Sequence, residues 1–130
     1  MPVTQDVENA VRCAIPSRIA ATALLENKPR IQIITATNTT IAIKSGVVFI
    51  APLSGAMAIV LPDPVNVIDD GNIIEIIAVL NAAHTVTSSC LFNATGGTAT
   101  FGGARGDSMI LRAYNAVWWT SGNTRNVSFS

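Results

Sequence analysis

Few residues in this chain can carry a proton, an electron pair or a metal ion. The only histidine is His84, and the two cysteines are Cys13 and Cys90. As a general base His84 would need an orienting carboxylate and a nucleophile beside it. Its neighbours in Ala83–Thr87 are instead threonines at a loop-to-strand junction, the setting of a structural histidine bonded to backbone. Cys13 and Cys90 stand far apart with no metal-ligand spacing, so two reduced, buried thiols are expected, with a long-range disulfide as the alternative. Asp63, Asp69 and Asp70, with Asn66 and Asn72 nearby, are oxygen donors of the kind a hard cation takes. They follow no EF-hand pattern, and Asp and Asn are ordinary turn formers. The same acids make no pair for glycoside hydrolysis, because no apolar pocket is suggested that would raise either pKa.

Two glycine pairs, Gly96-Gly97 and Gly102-Gly103, would need a following helix to cradle phosphate. None is indicated, so they are expected at hairpins or corners. Arg105-Gly106-Asp107 spells a cell-adhesion tripeptide, but Gly106-Asp107 before an apolar run is a turn signal. Trp118, Trp119 and Tyr114 are three of the seven aromatic residues. Neighbouring residues on a strand face opposite sides. One tryptophan is therefore expected in the core and the other toward solvent, a neighbour or a ligand, with Trp118, Trp119 and Arg125 as the possible ligand face. No catalytic, metal-binding or cofactor-binding residues are assigned, and the chain is expected not to be an enzyme.

The elements that must position these residues divide near residue 30. Residues 1–30 carry Asp6, Glu8, Arg12, Arg18, Glu26, Lys28 and Arg30, seven of the sixteen charges in the chain. Val7, Val11 and Ala14/Ile15 repeat at helical spacing until Pro16 breaks the run. Ser17 is suited to cap a second short helix bearing Ile19, Ala23 and Leu24. Neither piece is long enough to be stable alone in water. This is the pattern of a partly helical arm that orders on a body or a neighbour.

From Ile31 the pattern becomes β: short Val, Ile and Thr runs between turn residues. Strands are expected at 31–35, 40–44, 47–51, 56–61, 72–80, 85–88, 98–101, 108–114, 117–120 and 126–129. Asp70-Gly71 is the strongest turn signal among the breaks. Many short strands at close spacing point to a mainly β fold, an antiparallel β-sandwich or β-prism-like body over residues 31–130. Two strands, around Gly46–Ala51 and Ile73–Leu80, are apolar on both faces. Without covering helices, the second face must meet another sheet.

Composition points the same way. Hydrophobic residues make up 49% of the chain and charged residues 12%, against about 25% charged in typical domains. The surplus apolar surface needs a membrane or another copy of the chain. The uncharged stretch Ser45–Pro62 is interrupted by Pro52, Ser54 and Gly55, which makes it two strands and a turn, not a spanning helix. Self-association is therefore expected, with Val48, Ile50, Ile73, Glu75 and Ile77 as the oligomer interface. No basic n-region with an apolar h-region follows Met1, so no signal peptide is expected. Eight basic and eight acidic residues cancel, and no basic block marks nucleic acid as a partner.

Ile59–Pro62 (IVLP), Asp70–Ile76 (DGNIIEI), Ala83–Thr87 (AHTVT) and Gly106–Trp118 (GDSMILRAYNAVW) together resemble the β-domains of tailed-bacteriophage virion proteins. In those, a leucine-proline unit, a gap and a glycine-led hydrophobic strand precede a glycine-aspartate, strand and tryptophan unit. The resemblance covers about residues 45–120. It implies a capsid decoration (cement) protein or head fibre, assembled as a homotrimer at local three-fold sites, with the major capsid protein as partner. Residues 1–30 would attach it, through Arg12, Arg18, Ile19, Leu24 and Arg30. The location implied is the capsid surface of a virion made in host cytoplasm. The alternative is a receptor- or glycan-binding fibre tip. The short chain favours decoration protein or head fibre over a long tail fibre.

Overall fold

The computed structural model describes residues 30–52 and 55–130. Ile31–Ser130 form one compact unit. Of the partly helical arm expected over residues 1–30, residues 1–29, with Arg12, Arg18, Ile19 and Leu24, lie outside the described residues.

The described residues are all-β, with ten strands: β1 (Ile31–Ile34), β2 (Thr39–Thr40), β3 (Gly46–Ile50), β4 (Ala58–Val60), β5 (Ile73–Ala78), β6 (Thr85–Phe92), β7 (Gly96–Phe101), β8 (Ser108–Tyr114), β9 (Val117–Thr120) and β10 (Val127–Phe129). Each overlaps a strand expected from the sequence. β2 comes earlier than expected and β6 runs on to Phe92.

All ten belong to one barrel-like sheet whose main path is β1-β3-β5-β8-β9-β6-β4-β2. Its first six strands wind as three coils. Odd strands stack in parallel as β1, β3 and β5, and even strands as β2, β4 and β6. The β8–β9 hairpin joins the two ladders, β8 antiparallel to β5 and β9 parallel to β6 at Phe92↔Trp118. β7 and β10 complete the sheet beside β6.

The expected all-antiparallel arrangement is therefore corrected: five strand pairings are parallel and four antiparallel. A parallel pair needs a long crossover between its strands. Here the crossover from β1 to β3, or from β3 to β5, contains a strand of the opposite ladder. Close spacing along the sequence thus conceals parallel pairing.

The ladders share a single core. Register stacks Val48 on Ile76 and Ile76 on Met109, with Ile74 opposite Leu111 and Ile59 beside Val86. All of these are at most 1% exposed. Burying such side chains stabilises the fold by roughly 1.5–3 kcal/mol each. Val48 and Ile50, expected at an oligomer interface, are both 0% exposed in this chain's own core, which corrects that assignment. The run GVVFI is apolar at every position after the glycine, so alternation alone does not reveal which set points inward, and a one-residue slip exchanges the faces.

Candidate functional site

The polar side chains that suggested chemistry are tied up in turns and loop contacts. Asp69 accepts from the Val65 amide (2.6 Å) and the Lys44 ammonium (3.1 Å). The Val65 hydrogen bond, against some burial and with help from Lys44, holds its carboxyl below the usual range. Asp63 fastens the loop after β4 to β6, accepting from Ser89 Oγ (2.8 Å), Cys90 N–H (2.9 Å) and Ser88 Oγ (3.1 Å). Burial pushes its pKa up, but these donors outweigh it and the net shift is downward. Asp107 is 1% exposed and accepts from the Ala104 amide and from Asn126 Nδ2. The aspartate of the adhesion-like tripeptide is thus turned inward.

His84 is fully buried. Its Nδ1 accepts from the Met57 amide at 3.1 Å, and its ring meets Phe101 edge-on. Among the described residues Nε2 has no hydrogen-bond partner of ordinary geometry. Burial pushes the imidazole pKa down, opposed by the Leu80 carbonyl. His84 thus joins the segment before β4 to the start of β6. Cys90 is half-buried and forms no disulfide among the described residues. Among the described residues, no group of three or more His, Cys, Asp or Glu side chains is placed to hold a metal ion. No helix among them is long and apolar enough to cross a membrane.

The two tryptophans separate as strand alternation requires. Trp118 is 0% exposed, and its indole N–H donates to the Pro62 carbonyl at 2.9 Å. It is a core anchor, which corrects its place in the possible ligand face. Trp119 is 38% exposed and donates to the Tyr114 carbonyl. Arg125 is also exposed, but it bridges to Ser108. Trp119 pairs with Arg112, four residues along β8 from Ser108. That is about 13 Å of strand, so Trp119 and Arg125 are not brought together.

The outer side of the β1-β3-β5-β8-β9 half of the sheet is the surface the described strands assemble. Alternation turns Ile31, Ile33, Val47, Phe49, Ile73, Glu75, Ile77, Ile110, Arg112, Tyr114, Val117 and Trp119 outward. Three cross-strand rows organise it. One runs Ile31–Val47–Glu75–Ile110, the next Ile33–Phe49–Ile77–Ser108, and the third Ile73–Arg112–Trp119. Ile31 and Ile33 are 60% and 62% exposed on a strand that pairs only with β3 among the described strands. Tyr114 is 63% exposed. Natural edge strands are usually blunted by charge, proline or a bulge, and β1 carries none of these.

Ile73, Glu75 and Ile77 all lie on this face. Arg30, proposed for attachment, is exposed just before β1. Tyr114, named from the sequence with the two tryptophans, lies on the face too, as do Ile33, Phe49 and Arg112, which sequence reasoning did not single out. The charge at Arg112 was the available signal: within SMILRAY it marks Ser108, Ile110, Arg112 and Tyr114 as the outward set.

No protein-family model matches the chain, and no curated protein matches it in sequence.

Proposed function

We propose that this chain is a structural protein of a tailed-bacteriophage virion, a capsid decoration protein or head fibre. Three copies associate around a local three-fold of the shell, and residues 1–30 fasten them to the major capsid protein. The role is mechanical: the trimer adds contact area between neighbouring shell subunits. A cyclic trimer matches a three-fold site by symmetry. A segment that orders only on attachment loses its entropy at that step alone.

The single observation that carries this reading is the apolar outer face, with Ile31, Ile33, Ile73, Tyr114 and Trp119 exposed, on a β-body that has its own buried core. A monomer seldom leaves a large contiguous apolar surface to water. The leucine-proline and glycine-aspartate strand units in the sequence support the viral assignment.

The direct test is to mix the purified chain with undecorated capsid shells and measure co-sedimentation and the temperature of shell disruption. Saturable binding with a raised disruption temperature is expected, and deleting residues 1–30 should abolish binding while leaving a β-fold. No binding to any shell would overturn the reading.

A second reading, a glycan-binding fibre tip, is favoured by the neighbouring exposed rings of Trp119 and Tyr114. A glycan array separates the two, since a decoration protein should bind nothing on it.

A further inference from the structure

The outer sheet face carries two charges among its apolar residues, Glu75 on β5 and Arg112 on β8. Glu75 is paired with Ile110, and Arg112 with Ile73. They are therefore diagonal neighbours across one strand pair, a relation that spans about 7–8 Å. They do not pair with each other; among the described residues the ion pair is Lys44–Asp69. The face thus presents one acid and one base side by side, with no net charge.

We infer that this face is where copies of the chain meet, with Glu75 of one subunit paired to Arg112 of the next. The inference rests on the trimeric reading above and names its interface. Three copies turn the face toward a common axis, and the Ile33–Phe49–Ile77 row packs at the centre. Cyclic symmetry then repeats one Glu75–Arg112 contact at each of the three boundaries.

Charge decides the occupant. A surface with one acid and one base is complementary to itself. A strongly acidic or basic partner would meet a like charge as well as an opposite one, and like-charge contacts across an interface oppose binding. The β1 edge borders the same face and has no second strand partner among the described residues, so a second copy that covers Ile33 also covers that edge.

The test is the mass of the full chain by light scattering over a hundredfold concentration range. Four forms are compared: wild type, Glu75→Arg, Arg112→Glu and the double exchange. Wild type is expected as a trimer. Each single exchange sets like charges together and should weaken association about a hundredfold. The double exchange should restore it.

If all four forms are equally trimeric, the trimer stands and this interface is wrong. If wild type is a monomer throughout, the trimeric reading fails and takes the inference with it. If a single exchange loses its far-ultraviolet β spectrum, Ile33→Gln decides between the outcomes, because that side chain is mostly exposed in the single chain. It should keep the spectrum and weaken the trimer, and an unchanged trimer overturns the inference.

Discussion

The two faces of β5 use nearly the same residues and meet different fates. Ile74 and Ile76 point inward, are 0% exposed, and stack against β3 and β8 neighbours. Ile73 and Ile77 point outward beside Glu75, and Ile73 remains 40% exposed. The inner face supplies the buried core of the β-body. The outer face is nearly as apolar but less covered: Val47, Phe49, Ile77 and Ile110 are half-buried, and Ile31, Ile33 and Ile73 are exposed. Side-chain type alone does not distinguish a core from an interface. The distinction comes from which face the three coils and the β8–β9 hairpin close around.

Adjacent tryptophans give the largest expected effect. Trp118→Ala removes a buried indole and the hydrogen bond to Pro62, and should cost about 3–5 kcal/mol of folding stability. Trp119→Ala should leave the folding of the single chain within about 1 kcal/mol, since surface changes are usually small. Denaturant unfolding of both variants at low protein concentration checks this. Equal losses would break the distinction between the faces.

A matched pair on β5 sharpens it. Ile76→Ala should cost about 2–5 kcal/mol at any protein concentration. Ile77→Ala should cost less in dilute solution and make the melting temperature depend more steeply on concentration, because it loosens assembly. Thermal melts over a hundredfold concentration range distinguish the two. Identical behaviour would mean that Ile77 faces no other subunit.

The dry side also holds a titratable group. His84 has its pKa lowered in the fold, so the unfolded chain takes up the proton first as pH falls. Its contribution to stability is complete above about 6.5, the unfolded value, and declines below it. Melting temperatures should therefore fall between pH 7 and 5, and less so in His84→Asn. Asp63 and Asp69, held below their ordinary value of 3.8, add a further loss as pH drops past that point. A melting temperature that is flat from pH 7 to 5 would contradict this role for His84.

The smallest effect expected is at Val67. It sits at φ 69° on an exposed turn, a backbone conformation that β-branched residues rarely adopt. Val67→Asn should raise stability by about 1 kcal/mol, measured by denaturant unfolding. A loss would show that the turn depends on the valine side chain.

Ten strand positions were legible because Val-, Ile- and Thr-rich runs and Asx- or Gly-containing turns are local signals. The pairing direction was not, since whether Ile31–Ile34 lies beside β2 or β3 is set by packing across the chain. Strand parity was legible where a polar residue marked it: Glu75 separates Ile74 and Ile76 from Ile73 and Ile77. In β3 no such marker exists, and nothing local shows that Val48 and Ile50 point into the core rather than toward a neighbour. The alternation of Trp118 and Trp119 was readable in advance. Which ring would be buried was not, because that depends on the Pro62 carbonyl, far away in sequence.

Whether the outer face is covered by other copies of this chain is tested most directly by light scattering on the purified wild-type protein, read beside Ile33→Gln. The expected wild-type mass is three times the 13.6 kDa chain, falling toward one chain mass in Ile33→Gln at the same concentration. A soluble wild-type monomer at every concentration would contradict the covered face.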